Sequence, residues 1–206
     1  MLDTVCIPAE SGDPRRVIVV LHGLCDSPDG YRWMPDAMQI PWLNYLLVRA
    51  PDPYTVGFSW YDLYSDPAPG VARSRKLLFE LLEDLEKKTE ARNITLFGFS
   101  QGCLMATEIA ARYPRRLAGI LGVSGYVYEP AKLIHELSPV AREQRILLTH
   151  GTEDPLIPID AVRAQIQQLK QAGLQIDWRE FIKSHTIAGD EELEVLRNFV
   201  KAGYDD

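Results

Sequence analysis

The sequence predicts a doubly wound, mostly parallel α/β sheet with helices on both faces, folded as one domain. Three observations predict it. Short apolar runs alternate along the chain with stretches whose apolar residues recur three and four apart. Most runs are near-continuous Val, Ile and Leu, the composition of strands covered on both faces. No repeat, low-complexity tract or Gly/Ser-rich linker divides the 206 residues, a length that suits a single domain.

Val17–Leu21 opens the series as a strand, and Leu43–Val48 is the next. Pro51 to Gly70 reads as a long loop rich in aromatics and proline. Val71, Leu77, Leu78, Leu81, Leu82 and Leu85 then form the apolar stripe of a helix. Ile94–Phe97 is a third strand, followed by a helix that carries Cys103 to Arg112 and stops before Pro114. Leu117–Val123 and Ile146–Thr149 are strands. Val162, Ile166 and Leu169 mark a helix ended by Gly173, and Gln175–Phe181 is the sixth strand. Asp190, Glu191 and Glu192 place negative charge on the first turn of a last helix, where the macrodipole favours it. Leu193, Leu196, Phe199 and Val200 form that helix's apolar face. Six strands and their helices use nearly all of the chain, so residues 1–206 are expected to form one domain without a cap.

Composition narrows the function classes. Hydrophobic residues make up 46% and charged residues 25%, as in ordinary globular proteins rather than disordered or fibrous ones. With 22 basic and 29 acidic side chains the net charge is −7, which argues against a nucleic-acid partner, since phosphate backbones are bound by clustered Lys and Arg. The longest purely apolar strand-like run, Val17–Leu21, is far short of the ~20 residues of a membrane helix, so no stable membrane insertion is expected. Met1 to Thr4 lack the basic start of a signal peptide. Three cysteines, Cys6, Cys25 and Cys103, without a CxxC pair fit a reducing compartment and disfavour a metal site. A cytoplasmic location is therefore expected.

In doubly wound sheets the chemistry sits in loops at the carboxyl ends of strands. Gly98-Phe99-Ser100-Gln101-Gly102 lies there, a G-x-S-x-G between a buried strand and a helix. The pattern alone arises in roughly one random chain in fifteen of this length, but its strand-to-helix context makes it specific. A sharp turn there forces the serine into strained dihedrals and leaves its hydroxyl exposed above the sheet. Ser100 is thus the candidate nucleophile.

A serine nucleophile needs a base, and the base needs an orienting partner. Of four histidines, His22 and His150 sit in His-Gly pairs and read as packed loop residues, and His135 has no catalytic context. His185 follows the last strand and is the candidate base. Asp154, in the loop after the strand ending near His150, completes the Ser…Asp…His order of α/β-hydrolases, with Glu153 its close rival. One oxyanion donor is expected from the backbone N–H of Gln101, and a second from the loop running from Leu21 to Gly30.

These residues resemble the carboxylesterase/phospholipase group of α/β-hydrolases that includes the acyl-protein thioesterases. Leu21-His22-Gly23-Leu24-Cys25-Asp26 is similar to its L-H-G-L-G-D loop and Gly98 to Gly102 to its G-F-S-Q-G elbow. Ser124-Gly125-Tyr126, Arg49-Ala50-Pro51, Trp60-Tyr61-Asp62 and the acid loop from His150 to Pro158 resemble further landmarks. The resemblance spans nearly the whole chain. It implies the α/β-hydrolase fold and a capless, cofactor-free serine esterase acting on short to medium acyl esters or thioesters. It also implies that Leu24 supplies the second oxyanion N–H beside Gln101. Three residues depart from the pattern: Ser184 stands where a glycine usually precedes the base, and Cys25 and Cys103 replace glycines. The two thiols are either small fillers or close enough to pair under oxidation.

The expected partner is a small-molecule acyl ester or thioester. Aromatics of the 51–70 loop are expected to wall the acyl cleft, with Tyr54, Phe58 and Trp60 as the substrate-contacting candidates. Activity is expected to fall in acid as His185 takes up a proton. Two other readings share the fold: an acyltransferase, in which an alcohol or thiol intercepts the acyl-enzyme, and a non-catalytic binder of acyl ligands.

Overall fold

A computed structural model describes residues 2–11 and 15–204; residues 1, 12–14 and 205–206, and with them both ends of the expected 1–206 domain, lie outside the described residues. Strand β1 (Thr4–Ile7) leads into β2 (Val17–Leu21), the short helix α1 (Met34–Met38) and β3 (Asn44–Val48). A hairpin of β4 (Asp52–Tyr54) and β5 (Gly57–Ser59) follows, then α2 (Ala68–Leu85), β6 (Ile94–Phe99), α3 (Gln101–Arg112) and β7 (Gly119–Val123). The chain continues through α4 (Pro130–His135), β8 (Ile146–Gly151), α5 (Ile159–Gln171), β9 (Ile176–Phe181) and α6 (Gly189–Ala202).

Seven strands form one sheet in the order β1-β3-β2-β6-β7-β8-β9. All neighbours are parallel except β1, which pairs antiparallel with β3 at the edge. All six strands read from the sequence are present, Val17–Leu21 with the same ends and the others within two residues. β1 was not among them. Its four residues alternate between exposed and half-buried, so it lacks the continuous apolar run that marks the inner strands. The hairpin was read as loop because Pro53 lies inside β4; a two-stranded ribbon away from the main sheet tolerates it.

The strands separate two cores. Val17, Val19 and Leu21 of β2 face the side covered by α2, α3, α4 and α5, whereas Ile18 and Val20 face α1 and α6. Both faces are dry, which is why the sequence shows unbroken apolar runs. Every residue of α3 except Arg112 is buried. α2 begins with Pro67 as its cap and Pro69 in its first turn, where a missing N–H costs nothing. It buries Val71, Leu78, Leu81 and Leu82, each contributing about 1.5–3 kcal/mol against exposure.

The register places the site. Leu21 lies opposite Gly98, Gly98 opposite Gly122, and Gly151 opposite Phe181. The loops leaving β2, β6, β8 and β9 therefore open at one carboxyl edge of the sheet.

Candidate active site

β6 runs two residues past the predicted Phe97, so the turn falls on Ser100 itself. Ser100 has φ 54° and ψ −114°, a conformation costly for any residue with a Cβ. Its N–H is held by the Val123 carbonyl at 2.9 Å. The flanking glycines are required by close approach: a Cβ on Gly98 would lie 2.1 Å from the Gly102 carbonyl oxygen, and one on Gly102 2.2 Å from that of Leu21. Strand β2, the elbow and α3 thus touch backbone to backbone, and Ser100 rides at the top.

His185 Nε2 is 2.9 Å from Ser100 Oγ, and His185 Nδ1 is 2.7 Å from Asp154 Oδ2. The other Asp154 oxygen accepts the backbone N–H groups of Leu156 and Ile157, each at 2.9 Å. Burial alone raises the Asp154 pKa. The hydrogen bonds from His185 and the two amides outweigh it and hold the carboxyl below the ordinary range. An ionised Asp154 accepts only, so Nδ1 carries the imidazole proton and Nε2 is free to take one from Ser100. Glu153 is exposed, and its backbone N–H is tied to the Lys183 carbonyl. The structure therefore brings Asp154, not Glu153, to His185.

The remaining histidines sit apart from the serine. His135 is exposed at the end of α4. His22 is buried; its Nδ1 donates to the Gly23 carbonyl at 2.6 Å and its Nε2 accepts the Ala50 N–H at 3.1 Å. Burial lowers its pKa, so it is a neutral brace for the 22–26 loop. His150 donates from Nε2 to the Ile157 carbonyl and stacks on Trp178.

Leu24 and Gln101, whose backbone N–H groups are the expected oxyanion donors, both line the cavity at Ser100. Gln101 is the first residue of α3, where an N–H has no helical partner. Neither amide donates to a protein group among the described residues. The Gln101 side chain does separate work. It is buried, accepts from Ser59 Oγ and the Trp60 N–H, and donates to the Tyr61 carbonyl. That ties the 59–61 segment to the elbow.

The cavity at Ser100 is about 570 Å³. Tyr54, Phe58 and Trp60 do not line it, contrary to the sequence expectation. Phe58 is spent on backbone pairing: Cys25 N–H donates to its carbonyl and its N–H to the Asp26 carbonyl, while its ring lies under the Arg49 guanidinium. Trp60 is fully buried and its indole N–H donates to the His22 carbonyl at 2.9 Å. Tyr54 pairs with Gly57 within the hairpin. Phe58 and Trp60 thus support the 22–26 loop from behind. The apolar walls come instead from Tyr61, Leu63 and Tyr64, together with Tyr126, Leu156, Ile157 and Val162. Tyr61 and Tyr126 are hydrogen-bonded through their hydroxyls at 3.0 Å. Tyr126 and Ile157 lie within motifs legible in the sequence, but only the fold turns them toward the serine.

The base loop is anchored from beneath. Glu192, fully buried, accepts Lys183 Nζ on both oxygens (2.6 and 2.8 Å), Thr149 Oγ1 at 2.5 Å and the Ala188 N–H at 2.5 Å. Sequence reasoning placed Glu192 in a charged first turn; the structure makes it the internal partner of Lys183. The two cysteines in question have different neighbours. Cys103 is buried against Gly122, Gly125 and Leu148, and burial pushes its thiol up to about 12. Cys25 lies 3.4 Å from Thr55 Oγ1, and both thiols are free. Nothing brings them together, and Cys103 is a filler. Among the described residues no cluster of His, Cys, Asp and Glu is arranged to hold a metal ion, and no helix is long and apolar enough to cross a membrane.

The chain is similar to known proteins over nearly its whole length. The profile of the phospholipase/carboxylesterase family matches residues 2–203. Acyl-protein thioesterase 1 of Schizosaccharomyces pombe is 37% identical over 155 residues, covering 68% of this chain and 69% of that protein. Its counterpart in Yarrowia lipolytica is 26% identical over 219 residues, 96% of this chain and 95% of that one. Among solved structures, esterase PE8 superposes with a TM-score of 0.83 at 27% identity, covering 97% of this chain and 98% of the other. A Bacillus cereus carboxylesterase shares the fold at the same TM-score with 17% identity, over 98% and 95% of the two chains. The chain belongs to the phospholipase/carboxylesterase family of α/β-hydrolases and is a carboxylic ester hydrolase.

Proposed function

We propose that the chain cleaves esters or thioesters of short to medium acyl chains through Ser100, His185 and Asp154, by way of an acyl-enzyme. The observation that carries this reading is the continuous line of hydrogen bonds from Ser100 Oγ through His185 to Asp154 at the floor of an apolar cavity. His185 Nε2 takes the serine proton as Oγ attacks the acyl carbonyl carbon. Asp154 holds the ring and stabilises the imidazolium that forms. The backbone N–H groups of Leu24 and Gln101 receive the developing oxyanion, a contribution of about 10²–10³ in kcat for each such donor. His185 then gives its proton to the leaving alcohol or thiol. In the second half, His185 activates water, which attacks the acyl carbon and releases the acid and Ser100.

The apolar walls and a volume of about 570 Å³ suit a modest acyl chain, and the Tyr61–Tyr126 hydrogen bond stiffens one wall. Three free thiols accord with a reducing, cytoplasmic setting, and the two cores on one sheet with a single hydrolase domain.

The test is covalent. A fluorophosphonate probe should form one adduct, mapped by mass spectrometry to Ser100 and absent in Ser100→Ala. The same variant should lose hydrolysis across a chain-length series of p-nitrophenyl esters and acyl thioesters. An adduct elsewhere, or activity retained in Ser100→Ala, would overturn the assignment.

A further inference from the structure

A second cleft of about 410 Å³ adjoins the first, and the two share three lining residues: Asp26, Phe99 and His185. Ser100, Leu24 and Gln101 line only the first cleft, which on the reading above holds the acyl group. The leaving group receives its proton from His185, so it must extend past the imidazole into the second. This assignment rests on the hydrolytic reading proposed above.

The second cleft is walled by aromatic rings, Tyr31, Trp33 and Phe99, with Ile187 and Leu193 beside them. Trp33 is fixed by its indole N–H to the Gly30 carbonyl at 2.8 Å and stacks on Tyr31. Among the described residues, no Lys or Arg lines either cleft, and Asp26 is the one carboxylate that does, lining both. It is held in place: Oδ1 accepts the Ser27 N–H at 2.7 Å, and Gly30 leaves room that a Cβ, 2.2 Å from that oxygen, would take. Nearby cations are already neutralised. Arg32 pairs with Asp29 at 2.6 Å, and Lys183 is buried on Glu192. Gly189 lines the same cleft and is followed in sequence by the exposed Asp190 and Glu191. Aromatic rings beside a carboxylate favour a cation over an anion.

We propose that this second cleft is the leaving-group subsite and that it selects esters and thioesters whose alcohol or thiol carries a positive charge, with Asp26 and Trp33 as the discriminating residues.

The experiment compares three thioesters with one acyl group: butyrylthiocholine, its neutral carbon isostere 3,3-dimethylbutyl thiobutyrate, and the butyryl thioester of mercaptoethanesulfonate. In the wild-type protein at low salt, kcat/KM should favour the cationic over the neutral substrate by roughly five- to tenfold, with the anionic one poorest. Added salt should compress the series. Asp26→Asn retains an oxygen for the Ser27 N–H and should bring the cationic-to-neutral ratio close to one. Trp33→Leu should lower it at least twofold. A wild-type ratio within twofold of one, or a ratio unchanged in Asp26→Asn, overturns the proposal. Cleavage of all three thioesters at similar rates would sink the subsite while leaving the hydrolase reading intact. Failure to cleave any of them, or cleavage by Ser100→Ala, would instead sink the hydrolase reading.

Discussion

Glu192→Gln isolates the support under the base loop. The side chain keeps its shape but loses its charge, leaving the Lys183 ammonium, 6% exposed as a residue, without a counter-ion. Four contacts depend on the carboxylate: two from Lys183, one from Thr149 and one from the Ala188 N–H. Removing one member of a buried pair costs about 3–5 kcal/mol, because the surviving charge stays desolvated. At about 2–4 °C per kcal/mol for a chain of this size, the melting temperature should fall by about 6–20 °C. Lys183 and Ala188 bracket His185, so kcat should drop as well, with KM less affected because the cavity walls lie mostly on other loops. Urea titration with circular dichroism gives the stability change, provided the slope m is unchanged. In Lys183→Met/Glu192→Leu both charges go, and part of the loss should return. A loss below about 1 kcal/mol in Glu192→Gln, the value of an exposed pair, would refute the view that this pair anchors the base loop.

Asp154→Asn should lower kcat by about 10⁴-fold, since an amide facing Nδ1 favours the wrong imidazole tautomer. Because its carboxyl is held below the ordinary range, the stability Asp154 contributes is present above about pH 4 and lost as pH falls through the lowered value. Urea melts of wild type and Asp154→Asn should therefore differ by a constant amount above that pH and converge below it; a gap that widens in acid would contradict the assigned shift. Tyr126→Ala should lengthen the acyl preference. Tyr126 and Val162 line both the cleft at Ser100 and a small void beside Cys103, Gly125 and Leu148. At about 0.8 kcal/mol per further buried CH₂, octanoyl esters should gain at least about tenfold over butyryl esters in kcat/KM. An unchanged chain-length profile would place the limiting wall elsewhere.

Much of the molecule was legible because its determinants are local. Buried parallel strands are apolar on both faces, so Val17–Leu21 and Ile146–Thr149 announce themselves as runs. The elbow is legible because only glycine fits where β2, β6 and α3 touch, which fixes residues 98 and 102 around Ser100. Order along the chain and strand ends pointed to Asp154 and His185, and the register sets their loops at one edge. The edge strand β1 and the hairpin were hidden, since short or proline-containing strands lack that apolar signal.

What the sequence by itself determined was the sheet, the elbow and the chemistry of the candidate triad. Which aromatic ring faces the acyl group was decided only by the tertiary structure. Phe58 and Trp60 turn inward because the 22–26 loop needs their backbone and indole groups, while Tyr126 and Ile157 arrive on the loops that follow β7 and β8. The partner of Lys183 was likewise beyond the sequence. A glutamate in a helix's first turn reads as solvated charge until packing encloses it, and only the approach of α6 to the base loop puts Glu192 in the dark. Local pattern records which backbone a residue prefers; its neighbours across the fold are set by how the layers close.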